Sequence, residues 1–235
     1  MIQHIKRVVS DLINKTRSNQ EIFSKIYKKN YWGGESDQEF YSGEGTYVED
    51  LSLYTESLLK FIQENQIKSI CEIGCGDFHV SKKLVEKISV NYTGIDVVPD
   101  LVNHLNQQFS TESINFICLD AASLNAKLPQ VDLCIIRQVL QHLSNNQIQQ
   151  ILKNTSHIPN LIITEHVPVN PVVYNSDKVT NGYIRLQNKI PSGIFLDKPP
   201  FNKAIESDLL HIKLNDKNAD CELIEAELIT SWIKQ

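Results

Sequence analysis

Between residues 69 and 164, short apolar runs alternate with stretches of helical spacing, and few architectures accept that pattern. Ser69–Ile73, Tyr92–Asp96, Ile114–Leu119, Val131–Ile136 and Leu161–Thr164 read as strands. Val80–Ile88, Leu101–Phe109 and Asn145–Asn154 read as helices, because apolar residues recur at intervals of three and four. Strands joined through helices pair in parallel by right-handed crossovers, so this region predicts a parallel sheet with helices on both faces. Beyond it, Leu209–Leu214 and Cys221–Trp232 are strand-like and flank the turn NDKNAD, which fits an antiparallel hairpin on the sheet edge.

Two segments stand outside this alternation. At the start, Ile2, Ile5, Val8, Val9, Leu12 and Ile13, then Ile22, Phe23 and Ile26, follow helical spacing. Residues 31–47 interrupt it with four glycines and five aromatics, an ordered loop more than a slack linker, and helical spacing returns over 48–65. Residues 167–203 hold prolines 168, 171, 191, 199 and 200 with Gly182 and Gly193. An irregular stretch that long suits a lid or binding element. The expected organisation is a helical extension over 1–65 and a main domain over 66–235 that carries a lid at 167–203.

Composition narrows the function. The formal net charge is -5, and the clusters Lys28-Lys29 and Lys82-Lys83 are too short for a basic stripe, so no nucleic-acid partner is expected. No apolar run reaches the ~18 residues of a membrane helix. The opening residues lack the apolar segment and cleavage site of a secretory signal, which points to the cytoplasm. The five cysteines form no CxxC pair, so no metal site is expected. Cys71, Cys118 and Cys134 read as small hydrophobes in buried strands.

The strand Ile70-Cys71-Glu72-Ile73 ends in an acid and turns through Gly74-Cys75-Gly76 into a helix. Glycines there let a ligand approach the backbone, and the helix start offers free N–H groups. Asp96 ends the next strand, where a carboxylate can accept from both hydroxyls of a ribose. Asp120-Ala121 closes the third strand, where a carboxylate can accept from an adenine amino group. Val131–Gln138 runs to the same edge, the crevice in which open α/β sheets bind ligands.

With these residues the chain resembles the class I S-adenosylmethionine-dependent methyltransferases. EIGCG is similar to the family's first motif, with Glu72 facing the methionine amine; GID to the second, with Asp96 on the ribose; and LDA to the third, with Asp120 near adenine. VDLCIIRQVLQHL resembles the fourth-strand motif. The resemblance spans about residues 66–166. It implies a Rossmann-like, doubly wound, mostly parallel seven-stranded α/β sheet with an antiparallel C-terminal hairpin. It implies S-adenosyl-L-methionine as cofactor, held by Glu72, Gly74, Cys75, Gly76, Asp96, Val97, Asp120, Ala121, Arg137 and Gln138. Phe78 stands where many members carry a third glycine. The YWGG and PPFN segments resemble sugar-modifying, capsule- and antibiotic-type members.

Methyl transfer is an in-line displacement in which alignment supplies much of the rate, and a hydroxyl acceptor benefits from a general base. His142 follows the fourth strand and His166 the fifth, so both are candidate bases, with Glu165 an alternative. Tyr31, Trp32, Tyr41 and Tyr47 are candidates to roof the cofactor or stack on an acceptor. The expected reaction is transfer to an oxygen or nitrogen of a small molecule, with sugars and natural products among the candidates. A protein acceptor and a silent cofactor-binding domain stay open as alternatives, as does the oligomeric state.

Overall fold

The computed structural model describes residues 17–34, 40–46, 51–178, 184–188, 190–217 and 223–235. The helical pattern expected over residues 1–16, Tyr47 and Cys221 lie outside the described residues. Helix α1 (Asn19–Lys28) starts at a capping box in which Ser18 and Glu21 satisfy each other's backbone N–H groups. Helix α2 (Leu51–Glu64) follows the aromatic loop, and the alternation of strands and helices then begins.

The sheet has seven strands: β1 (Ser69–Ile73), β2 (Asn91–Asp96), β3 (Ile114–Cys118), β4 (Leu133–Arg137), β5 (Asn160–Pro168), β6 (Ser207–Lys217) and β7 (Leu223–Lys234). Their order is β3-β2-β1-β4-β5-β7-β6. The first five pair in parallel, and β7 runs antiparallel to both β5 and β6. The sheet order reverses at β1, which lies between β2 and β4, so a crevice opens at the carboxyl ends of β1 and β4.

The two-residue side-chain period splits the core in two. Ile70, Tyr92, Leu133 and Ile135 face α2, α3 (His79–Val85) and α4 (Pro99–Phe109). Cys71, Ile73, Cys134, Ile136, Leu161 and Ile163 face α5 (Asn145–Asn154), where Ile148 and Ile151 are fully buried. Each fully buried Ile or Leu contributes roughly 1.5–3 kcal/mol. Ser144 caps α5 in a second capping box with Gln147.

Three expectations need correction. The helix read over Val80–Ile88 ends at Val85, because the chain must turn to enter β2. Cys118 is exposed, not buried: β3 is an edge strand, and the outward face of its end is uncovered. The stretch after β5 is less irregular than its prolines suggest. β5 itself runs to Pro168, and a 3-10 turn forms over Arg185–Gln187. Asn175 holds the remainder together, donating to the carbonyls of Phe195 and Pro199 at 2.8 and 2.9 Å and accepting from the Phe195 N–H at 2.7 Å.

Candidate active site

The glycine turn after β1 is fastened to β2. The N–H groups of Gly74 and Cys75 both donate to the Ile95 carbonyl, at 2.7 and 3.1 Å. Gly74 and Gly76 have φ of 71° and 55°. A Cβ on Gly74 would sit 2.4 Å from Val139 Cγ2, and one on Gly76 would sit 2.5 Å from Ser42 Oγ. Both positions therefore need glycine for conformation and for space. Phe78 also has a left-handed φ, 64°, and caps α3. Its ring leaves the crevice and packs on Tyr92, Phe109 and Phe116, with centroids 5.0–5.5 Å away. That burial offsets a backbone cost of roughly 1–2 kcal/mol and keeps the ring out of the ligand's way.

Asp96 ends β2 beside this turn. Its Oδ2 accepts from the Gly76 N–H at 3.2 Å and its Oδ1 from the Val98 N–H at 3.1 Å. Burial nevertheless raises its pKa to about 6, because two backbone donors do not replace the lost water. Glu72 is also buried, and burial lifts its pKa although the Tyr92 hydroxyl donates to it. Asp120 accepts from the Ala122 N–H at 2.9 Å and, with both oxygens, from Asn19 Nδ2 at 3.2 and 3.0 Å.

These groups line one cleft that encloses about 1020 Å³, the part open to solvent included. Glu72, Gly74, Cys75, Gly76, Asp96 and Val97 form one wall, and Asp120, Ala121, Arg137 and Gln138 continue it around the strand ends. The carboxylate on β2, the close-approach turn and the acid after β3 suit a nucleoside with adjacent hydroxyls and an amino group. Among the described residues no cluster of His, Cys, Asp or Glu could hold a metal ion. No helix there is long and apolar enough to cross a membrane.

The roof comes from the N-terminal segment. Ser42 and Asp77 exchange hydrogen bonds: Asp77 N–H donates to Ser42 Oγ at 2.7 Å, and Ser42 N–H to Asp77 Oδ2 at 3.1 Å. Tyr27 Oη meets the same Ser42 Oγ at 2.9 Å. Asn19 ties α1 to Asp120 and accepts from Gln147 Nε2 at 2.9 Å. Phe23, Tyr27 and Trp32 line the cleft. Of the aromatics singled out from sequence, Trp32 is thus placed on the cleft, while Tyr31 is exposed and Tyr41 lies outside the lining. Asn19, Phe23, Tyr27, Ser42 and Asp77 were not anticipated. The signal available was the i,i+4 pair Phe23 and Tyr27, two aromatics on one stripe of α1.

The two candidate bases separate. His142 lies in the 3-10 turn Leu140–His142, lines the cleft and has its ring centroid 5.6 Å from that of Trp32. His166 sits within β5 opposite Leu228 and is not part of the lining. Glu165 points to the other face, where its oxygens accept the N–H groups of Leu140 and Gln141 at 2.8 and 3.1 Å. It holds the turn that carries His142, and burial raises its pKa to about 8. Among the described residues, none of 167–203 lines the cleft, contrary to the expected lid. Arg185 is the reason. It is fully buried and donates to the Leu143 and Ser176 carbonyls and to Asn145 Oδ1, which draws the segment onto the start of α5.

Comparison with known proteins agrees with this geometry. Residues 70–158 match the family model described as a methyltransferase domain. The sheet order, the closing hairpin and this match define the class of fold: a Rossmann-like methyltransferase fold, with a mostly parallel seven-stranded sheet and an antiparallel C-terminal hairpin. No curated protein matches the sequence. Among solved structures, the N-methyltransferase NodS from Bradyrhizobium japonicum WM9, in complex with S-adenosyl-L-homocysteine, is 15% identical with a TM-score of 0.51. The match covers 78% of this chain and 86% of that one. TehB from Haemophilus influenzae is 14% identical, with a TM-score of 0.52 and coverage of 77% and 62%. Human N-acetylserotonin methyltransferase, in complex with S-adenosylmethionine, is 15% identical, with a TM-score of 0.50 and coverage of 98% and 66%. The chain thus spans a little under two thirds of the last two. At such identities the likeness is one of fold.

Proposed function

We propose that this protein binds S-adenosylmethionine in the cleft and transfers its methyl group to an oxygen or nitrogen of a small molecule. The observation that carries the reading is Asp96: a buried carboxylate at the end of β2, held by the Gly76 and Val98 N–H groups beside a turn where no Cβ fits. It suits two neighbouring ribose hydroxyls, whose protons would compensate its raised pKa. Asp120 and Ala121 would take the adenine end, and Glu72 with the turn Gly74-Cys75-Gly76 the methionine end.

The cofactor supplies an activated sulfonium methyl. The chain's own part is to align the acceptor, exclude water beneath Phe23, Tyr27 and Trp32, and accept a proton where the nucleophile carries one. We assign that last role to His142, which lines the cleft, and a small acceptor is in keeping with the human neighbour, whose name gives N-acetylserotonin as its acceptor. We read residues 66–235 as the methyltransferase domain and 1–65 as its N-terminal extension. Calorimetry tests the reading. S-adenosylhomocysteine should bind with micromolar affinity, whereas binding of a nicotinamide dinucleotide in its place would overturn it.

A further inference from the structure

Gln141 is the middle residue of the 3-10 turn Leu140–His142; it lines the cleft and is buried, with 6% of its surface exposed. Its backbone N–H donates to Glu165 Oε2 at 3.1 Å, and its Nε2 donates to the Gln138 carbonyl at 3.2 Å. The second bond fixes which end of the amide is nitrogen. The other end, Oε1, is enclosed by protein and meets no donor among the described residues. A buried carbonyl without a donor is unfavourable, and a ligand N–H or O–H would satisfy it. S-adenosylmethionine carries its donors on an ammonium, two ribose hydroxyls and an adenine amine. For each of these the cleft already offers a carboxylate: Glu72, Asp96 and Asp120. Gln141 Oε1 is a surplus acceptor, which points to a second ligand.

The same side of the cleft is aromatic. Phe23 and Trp32 stand against the His142 ring with centroids 6.2 and 5.6 Å away, and 6.1 Å from each other. All three line the cleft and are half-buried. The carboxylates of the lining lie in or after β1, β2 and β3, and α1, Trp32 and the turn 138–143 contribute none. Such a wall favours a flat, uncharged ring, by stacking worth about 3–10-fold in affinity.

We infer that the methyl acceptor is an uncharged aromatic or heteroaromatic ring bearing an O–H or N–H, that the ring packs on Phe23 and Trp32, and that Gln141 Oε1 accepts its hydrogen. The inference rests on the methyltransferase reading and deepens it. Gln141 is then a specificity-determining residue and not a base: an amide oxygen accepts a hydrogen bond but does not take up the proton, whereas the imidazole that follows it in sequence can. A sugar offers hydroxyls to Gln141 but no flat face to the wall.

The test uses phenol, anisole and cyclohexanol on protein loaded with S-adenosylhomocysteine. Anisole keeps the ring and loses the donor; cyclohexanol keeps the donor and loses the flat ring. The Trp32 indole N–H resonance, assigned by its loss in Trp32→Phe, is followed in each titration. Phenol should bind the wild type about tenfold more tightly than anisole and about 3–10-fold more tightly than cyclohexanol. Gln141→Leu and Gln141→Met, checked for folding by circular dichroism, should narrow the gap between phenol and anisole to within about threefold and leave the Kd for S-adenosylhomocysteine within about threefold. The wild-type series stands even where a variant fails to fold. The inference is overturned if phenol leaves Trp32 unmoved up to about 20 mM, if anisole or cyclohexanol binds as tightly as phenol, or if the gap persists in a folded variant. It is equally overturned if that variant loses S-adenosylhomocysteine, because the cofactor then supplies the hydrogen. Failure of the wild type to bind S-adenosylhomocysteine would instead bring down the underlying reading and this inference with it.

Discussion

Replacing Asp96 with asparagine should separate affinity from stability. In the folded protein its pKa of about 6, against an ordinary 3.8, makes the ionised form unfavourable at neutral pH by on the order of 3 kcal/mol. Asparagine removes that penalty. It also turns one N–H acceptor into a donor, which leaves the Gly76 or Val98 N–H facing an amide and costs about 1–3 kcal/mol. The two effects nearly cancel, so the melting temperature should stay within a few degrees of wild type. Affinity should not survive. Two charge-assisted bonds to ribose hydroxyls become one neutral bond, a loss of about 2–4 kcal/mol, or roughly 30- to 1000-fold in Kd. Calorimetry with S-adenosylhomocysteine and a thermal melt on the same sample measure both quantities. An unchanged Kd would refute the argument and leave Asp96 as a strand-end residue that only fastens the glycine turn.

Three further outcomes follow from the same geometry. Asp96 and Glu165 have folded pKa values raised to about 6 and about 8, so the stability they contribute is full below about pH 4 and is lost as pH rises through those values. The ligand-free protein should melt at lower temperature at pH 8 than at pH 5, and a flat or rising profile contradicts this. Arg185→Ala should lower the unfolding free energy by about 2–4 kcal/mol, since it strips donors from the Leu143 and Ser176 carbonyls and Asn145 Oδ1. S-adenosylhomocysteine affinity should hold, because Arg185 does not line the cleft; a matching loss of affinity would show that the segment reaches the ligand. On a hydroxyl acceptor, His142→Ala should slow turnover about 10²–10⁴-fold while His166→Ala leaves it unchanged. The reverse ranking would return the base to β5.

The sequence by itself determined the layered sheet and the cofactor edge. Strand and helix periods are local, and a run such as Ile70–Ile73 followed by Gly74 and Gly76 can only end at the carboxyl edge of a parallel strand. Glu72, Asp96, Asp120 and Arg137 were therefore legible as neighbours although up to 65 residues separate them. What covers that edge was not legible, because it depends on which of two proline- or glycine-rich segments folds over the cleft. Hydrogen bonds between remote residues decided it. Ser42 with Asp77 and Asn19 with Asp120 bring the N-terminal segment over the cleft. Arg185, reaching the Leu143 carbonyl from 42 positions away, draws the later segment aside. The choice between His142 and His166 has the same origin. Both follow strands at the correct edge, but β5 continues past His166 to pair with β7, while β4 stops and Glu165 holds the short turn that carries His142 on the cleft. Strand length past the sheet edge is set by the antiparallel partner, and nothing local in the residues around His166 encodes it.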